Sequence, residues 1–573
     1  MPHGKVHYEI FVRKPLVGSG WKLVDALHQR DAAIEVAGVL FAEGGLKGVR
    51  VVKETLDPDT GEYMSLVVHE VGDGGAVTGA SASSDEAVLP CFCPQDLYSS
   101  HARATIARLL SDYLGRQCMT VTELLHRADA LETLAATGTI VQHAIQKIAV
   151  AHAGATGQSI HDTVRKLNDL VSRATERVYK DARSGTLPEI GEDGLAGAYD
   201  SVAYSDEPDY LLCSSVAAHL AALKSWGEKL RAVLALMPTL PDEGLGREIC
   251  LRIIDRFVCD MVAGRAALQD LMGMHGSLGA LLCSMTDLFL GAVDQEDPEI
   301  TTGVKALSVE FAKGKLPGAR GAIGQRILTE LRGPRRLEPD CLETEVETVR
   351  GLAGRMVVGQ GKFLTIDDIT EAFATRSRRL LASDIIEPYL EALPDQPTRI
   401  RKLLALEPNL VGQDNKRSLA SILLPQITAH GTERHYLTAK INPVVKLREI
   451  AAFQAQVLSS DFPDTNRRQL AEALDILACD VEARVQVIEG ICKRDVAAEE
   501  KVLALLRLVT GTVFTQGEML RRAKLSAVRL IREPQFMKRL AQSAMMEDKV
   551  KVRLKEMRDL IDLAELHKLS EAA

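Results

Sequence analysis

His161 and Asp162 are neighbours in this chain, and an imidazole beside a carboxylate can hold a metal ion or accept a phosphoryl group. A second constellation is rich in glycine. Gly318, Gly321 and Gly324 recur every third residue in GARGAIGQR, with Lys313, Lys315, Arg320 and Arg326 around them. Backbone N–H groups in such a run, flanked by guanidinium groups, suit an anion. Gly318, Arg320, Gly321, Gly324 and Arg326 are therefore expected as an anion-binding loop between helices. No strand-like segment precedes them, which argues against a dinucleotide-binding turn. Residues 354–363, GRMVVGQGKF, approach a phosphate loop but place Met356 where its first glycine belongs. Phe363 stands where a Mg²⁺-binding hydroxyl belongs.

Residues 161–164, His-Asp-Thr-Val, resemble the H-box of bacterial sensor kinases. The resemblance implies a phospho-accepting His161 projecting from a dimerising helix. That family also needs an ATP-binding domain with an Asp-x-Gly-x-Gly loop, which the sequence does not show. The dipeptide is also similar to that of HD phosphohydrolases, where His and Asp ligate a divalent metal. That likeness implies further ligands among His143 or His152 and Asp169 or Asp181, but the small apolar neighbours typical of the family are missing. Each resemblance covers a few residues, and none spans the chain.

The other reactive groups are scattered. The ten cysteines are Cys91, Cys93, Cys118, Cys213, Cys250, Cys259, Cys283, Cys341, Cys479 and Cys492. They form no C-x-x-C pair, and Cys91-Phe92-Cys93 lacks the second pair that a zinc site would want. Free thiols, no metal, no cofactor and a reducing cytoplasm are the expectation. From residue 521 to 559, twelve Lys/Arg stand against five Asp/Glu, a local +7 within a chain of net charge −9. Arg521, Arg522, Lys524, Arg529, Arg532, Lys538 and Arg539 lead this basic surface. It reads first as a solvated helix face, then as a dock for an acidic partner, then as a contact for nucleic acid or anionic lipid. The acidic balance of the whole chain argues against the last.

The elements that must position these groups follow from pattern. Residues 6–13, 21–26, 49–54 and 63–71 read as strands, and 31–43 as a helix, a ββαββ order expected of a small α+β module. Residues 57–61, Asp-Pro-Asp-Thr-Gly, are turn chemistry. Residues 72–93 are rich in Gly, Ala and Ser and read as a flexible linker. From 94 to 185 helical patterning takes over. Ile160, Val164, Leu167, Val171, Ala174 and Val178 form one apolar stripe expected to support self-association. Residues 186–209 read as an acidic linker, 210–331 as a second helical block, and 342–573 as a proline-punctuated helical block ending in basic helices. The most apolar stretch, 278–293, is short of a ~20-residue membrane span and contains Asp287.

Aromatics make up only 4% of the chain, which disfavours a strand-rich fold and base-stacking platforms. The sequence thus predicts a mostly α protein: a small N-terminal α+β module, 1–71, then a multi-block helical bundle or α-solenoid-like body. The function expected from it is a non-enzymatic cytoplasmic scaffold or regulatory adaptor, with protein partners and a possible homo-oligomer. The alternatives are phosphotransfer through His161, and binding of nucleic acid or an anionic surface through the C-terminal basic helices.

Overall fold

Alternating apolar and polar residues near the N-terminus form β1 (Val6–Arg13), β2 (Lys22–Leu27), β3 (Gly48–Leu56) and β4 (Tyr63–Gly72), with helix α1 (Arg30–Ala42) between β2 and β3. In this computed structural model, the described residues are 6–13, 21–27, 30–42, 44–56, 63–72, 91–156, 159–185, 187–298, 300–359, 363–534, 536, 548–564 and 566. The strands pair antiparallel in the order β2-β1-β3-β4. Opposite partners Ile10 and Val51, and Val12 and Val49, fall on one face because side chains alternate along a strand. They are buried with Ala33 and Ala37, whose small side chains let α1 lie close to the sheet.

Everything described after this module is helix or connection, so the chain is mostly α. It divides into two compact units, residues 1–339 with 351–372, and residues 340–350 with 373–573. The helices of the first unit used below are α2 (Ser100–Leu109), α3 (Val121–His126), α4 (Ile140–Thr156), α5 (Ile160–Ser184), α6 (Pro208–Leu220), α7 (Trp226–Ala235), α8 (Gly244–Ala263), α9 (Leu278–Leu290) and α10 (Pro317–Arg332). Helix α8 is its axis. Ile249, Ile253, Ile254, Phe257, Val258 and Met261 are all buried, a distribution too broad for a one-sided surface helix. It packs against α10 on one side and against α6 and α7 on others. Helix α9 is the apolar stretch singled out by sequence, with Leu282, Met285, Leu288 and Phe289 in the core. Among the described residues, no helix is long and apolar enough to cross a membrane.

Helices α11 (Leu342–Gly359) and α12 (Ile366–Leu380) each contribute residues to both units. In the second unit, α13 (Pro443–Ser459) pairs with α14 (Asp464–Val485). Helix α14 buries Leu470, Leu474, Leu477, Ala478 and Val481. The short α15 (Val487–Cys492) follows, then α16 (Ala498–Thr510) packs on α17 (Glu518–Ile531).

The segment read as a glycine-rich basic loop is instead helix α10. Pro317 opens it, and Pro at the first helical position presets φ and lacks only an N–H that would be unpaired there anyway. Residues 354–359 of the phosphate-loop look-alike are likewise the end of α11, and 360–362 lie outside the described residues. The segment read as an acidic linker contains the helix Gly194–Val202, with Leu195, Ala198 and Val202 buried. Most of the segment read as a flexible linker, 73–90, lies outside the described residues.

Candidate functional cleft

Helix α5 is long and amphipathic, so one face must be covered and the other left to solvent. Thr163, Leu170, Ala174 and Val178 are buried, and α4 is among the elements α5 packs on. The other face of its second half carries Arg173, Glu176, Arg177, Lys180 and Asp181. With Ser205, Asp206, Glu207, Tyr210 and Leu211, these residues line a cleft of about 560 Å³. Cavities that hold small ligands run to roughly 300–1,000 Å³. Asp206 and Glu207 sit in the turn before α6, whose first residue, Pro208, fixes where the helix begins. Phe92 is 77% exposed, and Arg173 donates to its carbonyl at 3.5 Å. Tyr204, beside the cleft residue Ser205, is fully exposed.

Behind the cleft lies a cluster of three rings. Tyr98, His126 and Tyr210 stand at centroid separations of 4.9, 5.2 and 5.6 Å. Tyr98 ends a short 3₁₀ turn whose Asp96 accepts from the amides of Phe92 and Cys93. His126 closes α3, and Tyr210 is in the first turn of α6. Asp260 of α8 ties these elements together. It accepts from the Thr122 amide at 2.9 Å, from the Thr122 hydroxyl at 2.6 Å and from Arg103 Nε at 3.1 Å. Arg103 in turn donates to the Tyr98 carbonyl at 2.7 Å. A second buried pair lies next along α3: Lys229 of α7 donates to Glu123, whose other oxygen accepts from the Thr120 amide and hydroxyl.

Burial holds His126, Tyr98, Tyr210 and Cys213 neutral around neutral pH. His126 Nδ1 faces the Thr122 carbonyl at 2.7 Å, and a carbonyl only accepts, so Nδ1 carries the proton. Nε2 is then a bare lone pair, buried and without a hydrogen-bond partner. Burial pushes the imidazole down to about 3, against the pull of the Thr122 carbonyl and with help from Arg256, Arg103 and Arg177. Burial pushes the Tyr98 phenol up to about 12 and the Cys213 thiol up to about 11. The Tyr210 phenol is raised too, first by burial and then by the charges around it. A general acid or base works best with a pKa near the working pH. These groups are tuned away from it.

Arg177 is the centre of the cleft. Its guanidinium lies over the Tyr210 ring, 3.8 Å from the centroid. It donates in bidentate fashion to Glu207, at 3.2 Å from Nη1 and closer from Nη2, and stands 3.7 Å from Asp181. Arg173 pairs with Asp169 at 3.1 Å.

The residues singled out by sequence do not converge on this cleft. His161 and Asp162 are exposed on the first turn of α5, and Asp162 pairs with Arg165 at 3.0 Å. Ile160, Val164, Leu167 and Val171 are half-buried, and Val178 is buried, on a helix that packs on α4 of the same chain. Asp255 of α8 already takes the Gly318 and Ala319 amides at the start of α10, at 2.7 and 2.8 Å. Arg320 lies over the Phe363 and Phe289 rings, 4.6 and 5.4 Å from their centroids. Arg326 pairs with Glu330 at 2.6 Å, and Gly321 has open space beside it. Gly324 packs where an added Cβ would fall 3.0–3.1 Å from Phe289 and Leu364.

On α17, Arg521 and Arg522 pair with Glu518, Lys524 is half-buried and Arg529 is exposed, as is Arg532 just past its end. Lys538 and Arg539 lie outside the described residues. Tyr98, His126, Arg177, Glu207 and Tyr210 carry no linear motif. The one hint in the sequence is the grouping of Tyr199, Tyr204 and Tyr210 in a chain with only ten tyrosines. Comparison with protein-family models, with curated proteins and with solved structures finds no match, so the reading of this cleft rests on its own geometry.

Proposed function

We propose that this protein is a helical adaptor that docks a segment of a partner protein in the cleft formed by α5 and the turn before α6. The observation that carries this reading is the ring cluster behind the cleft, held neutral, with Arg177 stacked on one of its rings. His126 is held neutral, Tyr98 and Tyr210 stay un-ionised, and Arg177 and Glu207 are paired, so the site presents donors, acceptors and ring faces without a proton to move. The exposed rings of Phe92 and Tyr204 add the rigid aromatic area that recurs at binding hot spots, as arginine does inside the cleft. The test is selection from a random peptide library on the full chain, followed by affinity measurement on Tyr204→Ala and Tyr210→Leu. Selected peptides should lose about tenfold or more in affinity to Tyr210→Leu, and less to Tyr204→Ala. Peptides that bind all three proteins equally, or a library that yields no binder, would remove the adaptor reading.

A further inference from the structure

The charges lining the cleft do not balance. Arg173 is neutralised by Asp169, which is outside the lining, so it uses none of the cleft's own carboxylates. Among the other lining residues, Glu176, Asp181, Asp206 and Glu207 stand against Arg177 and Lys180, an excess of two negative charges. Such surroundings favour a cation.

The cleft also displays how a cation is held. Arg177 lies over the Tyr210 ring, is gripped in bidentate fashion by Glu207 and has Asp181 alongside. A planar guanidinium between an aromatic face and a carboxylate fork is the arrangement arginine makes and lysine does not reproduce. Arg177 belongs to the chain, so in the free protein the seat is taken from within.

We propose that the cleft is a receptor for an arginine side chain of the partner segment, and that Arg177 is its internal stand-in, displaced when the partner docks. This rests on the reading of the cleft as a docking site and names the chemistry of its occupant. Displacement releases Arg177 towards solvent and leaves Tyr210, Glu207 and Asp181 to the incoming guanidinium.

The test uses the full chain and three fluorescein-labelled peptides alike except for two positions, which are arginine, lysine or glutamate, read by anisotropy. Arg177→Ala and Arg177→Gln empty the seat, and the second keeps more of the side chain's bulk. Arg173→Ala removes an equal charge from the same cleft without emptying the seat. Both Arg177 variants should bind the arginine peptide about tenfold more tightly than the parent, and Arg173→Ala about twofold. The lysine peptide should gain less than the arginine one. Adding Glu207→Gln to Arg177→Gln should cancel the gain. Equal gains in Arg173→Ala and Arg177→Gln, no gain in either Arg177 variant, or tighter binding of the glutamate peptide would overturn the proposal. Library peptides that need the cleft but carry no basic residue would overturn it too, while leaving the docking reading in place.

Discussion

His126 shows what burial does to a residue that the sequence presents as one histidine in a helix. In water its imidazole would titrate near 6.5; in the fold it is held to about 3. The unfolded chain therefore binds a proton between those values that the folded chain refuses. Stability from this group is complete above about pH 6.5 and is lost as pH falls towards 3, at about 1.4 kcal/mol per pH unit. Denaturant unfolding of the wild type and His126→Phe at pH 7.5, 6 and 5 should show the wild type losing stability relative to the variant as the pH falls. The phenylalanine keeps a ring against Tyr98 and Tyr210 and has nothing to protonate. A difference between the two proteins that is constant from pH 7.5 to 5 would mean that His126 titrates normally. None of this is legible locally, because the rings packed on His126, Tyr98 and Tyr210, belong to other elements of the chain. The adjacent His161-Asp162 pair is conspicuous in sequence, yet both residues are exposed and have no such surroundings.

Helices were the legible elements, since their apolar spacing needs only the residues themselves. What joins them was not. Four carboxylates on two central helices cap the starts of other helices. Asp255 and Asp260 of α8 serve α10 and α3, while Asp475 and Glu482 of α14 serve α17 and α15. The caps at α10, α17 and α15 fall where the preceding residue, Leu316, Gly517 or Gln486, gives no side-chain cap of its own. A helix start leaves unpaired N–H groups and partial positive charge, and a carboxylate answers both. Such a cap joins residues about 40 to 140 positions apart at α17 and α3, so no window of sequence contains it. The glycine-rich run in α10 misleads for a related reason. Spacing of three suits a loop and a helix alike, and close packing of Phe289 and Leu364 on Gly324 is visible only in the fold. Asp475 accepts from Glu518 N at 2.7 Å, Met519 N at 3.2 Å and Thr515 Oγ1 at 2.6 Å. Asp475→Ala strips all three at a buried site and should cost about 3 kcal/mol, with Asp475→Asn retaining part of it. Hydrogen exchange should show the first turn of α17 opening before the rest of that helix. Uniform exchange along α17 in the alanine variant would show that the cap is dispensable.

At the scale of the whole molecule, the chain leaves the first unit after Pro339, returns to it for residues 351–372, and leaves again. Proline and glycine between 333 and 339 mark a break in the helical pattern, but nothing in the sequence marks the return. The return depends on which core covers Leu352, Met356, Leu364, Ile369 and Ala372, all of them buried. In the first unit, Leu364 packs towards Gly324, Phe363 meets Phe289 edge-on, and Arg355 reaches Asp287 and the Cys283 carbonyl. A large apolar side chain fully buried contributes about 1.5–3 kcal/mol. A fragment that stops at 339 forfeits several of these at once, although it contains the whole sheet module and the whole cleft. Fragment 1–339 should therefore melt well below fragment 1–372 and bind more of a dye that reports exposed apolar surface. Fragment 1–372 should retain the cleft's peptide affinity. Equal melting of the two fragments would mean that the returning segment is not part of the first unit's core, and that the break after Pro339 is a true end of that unit.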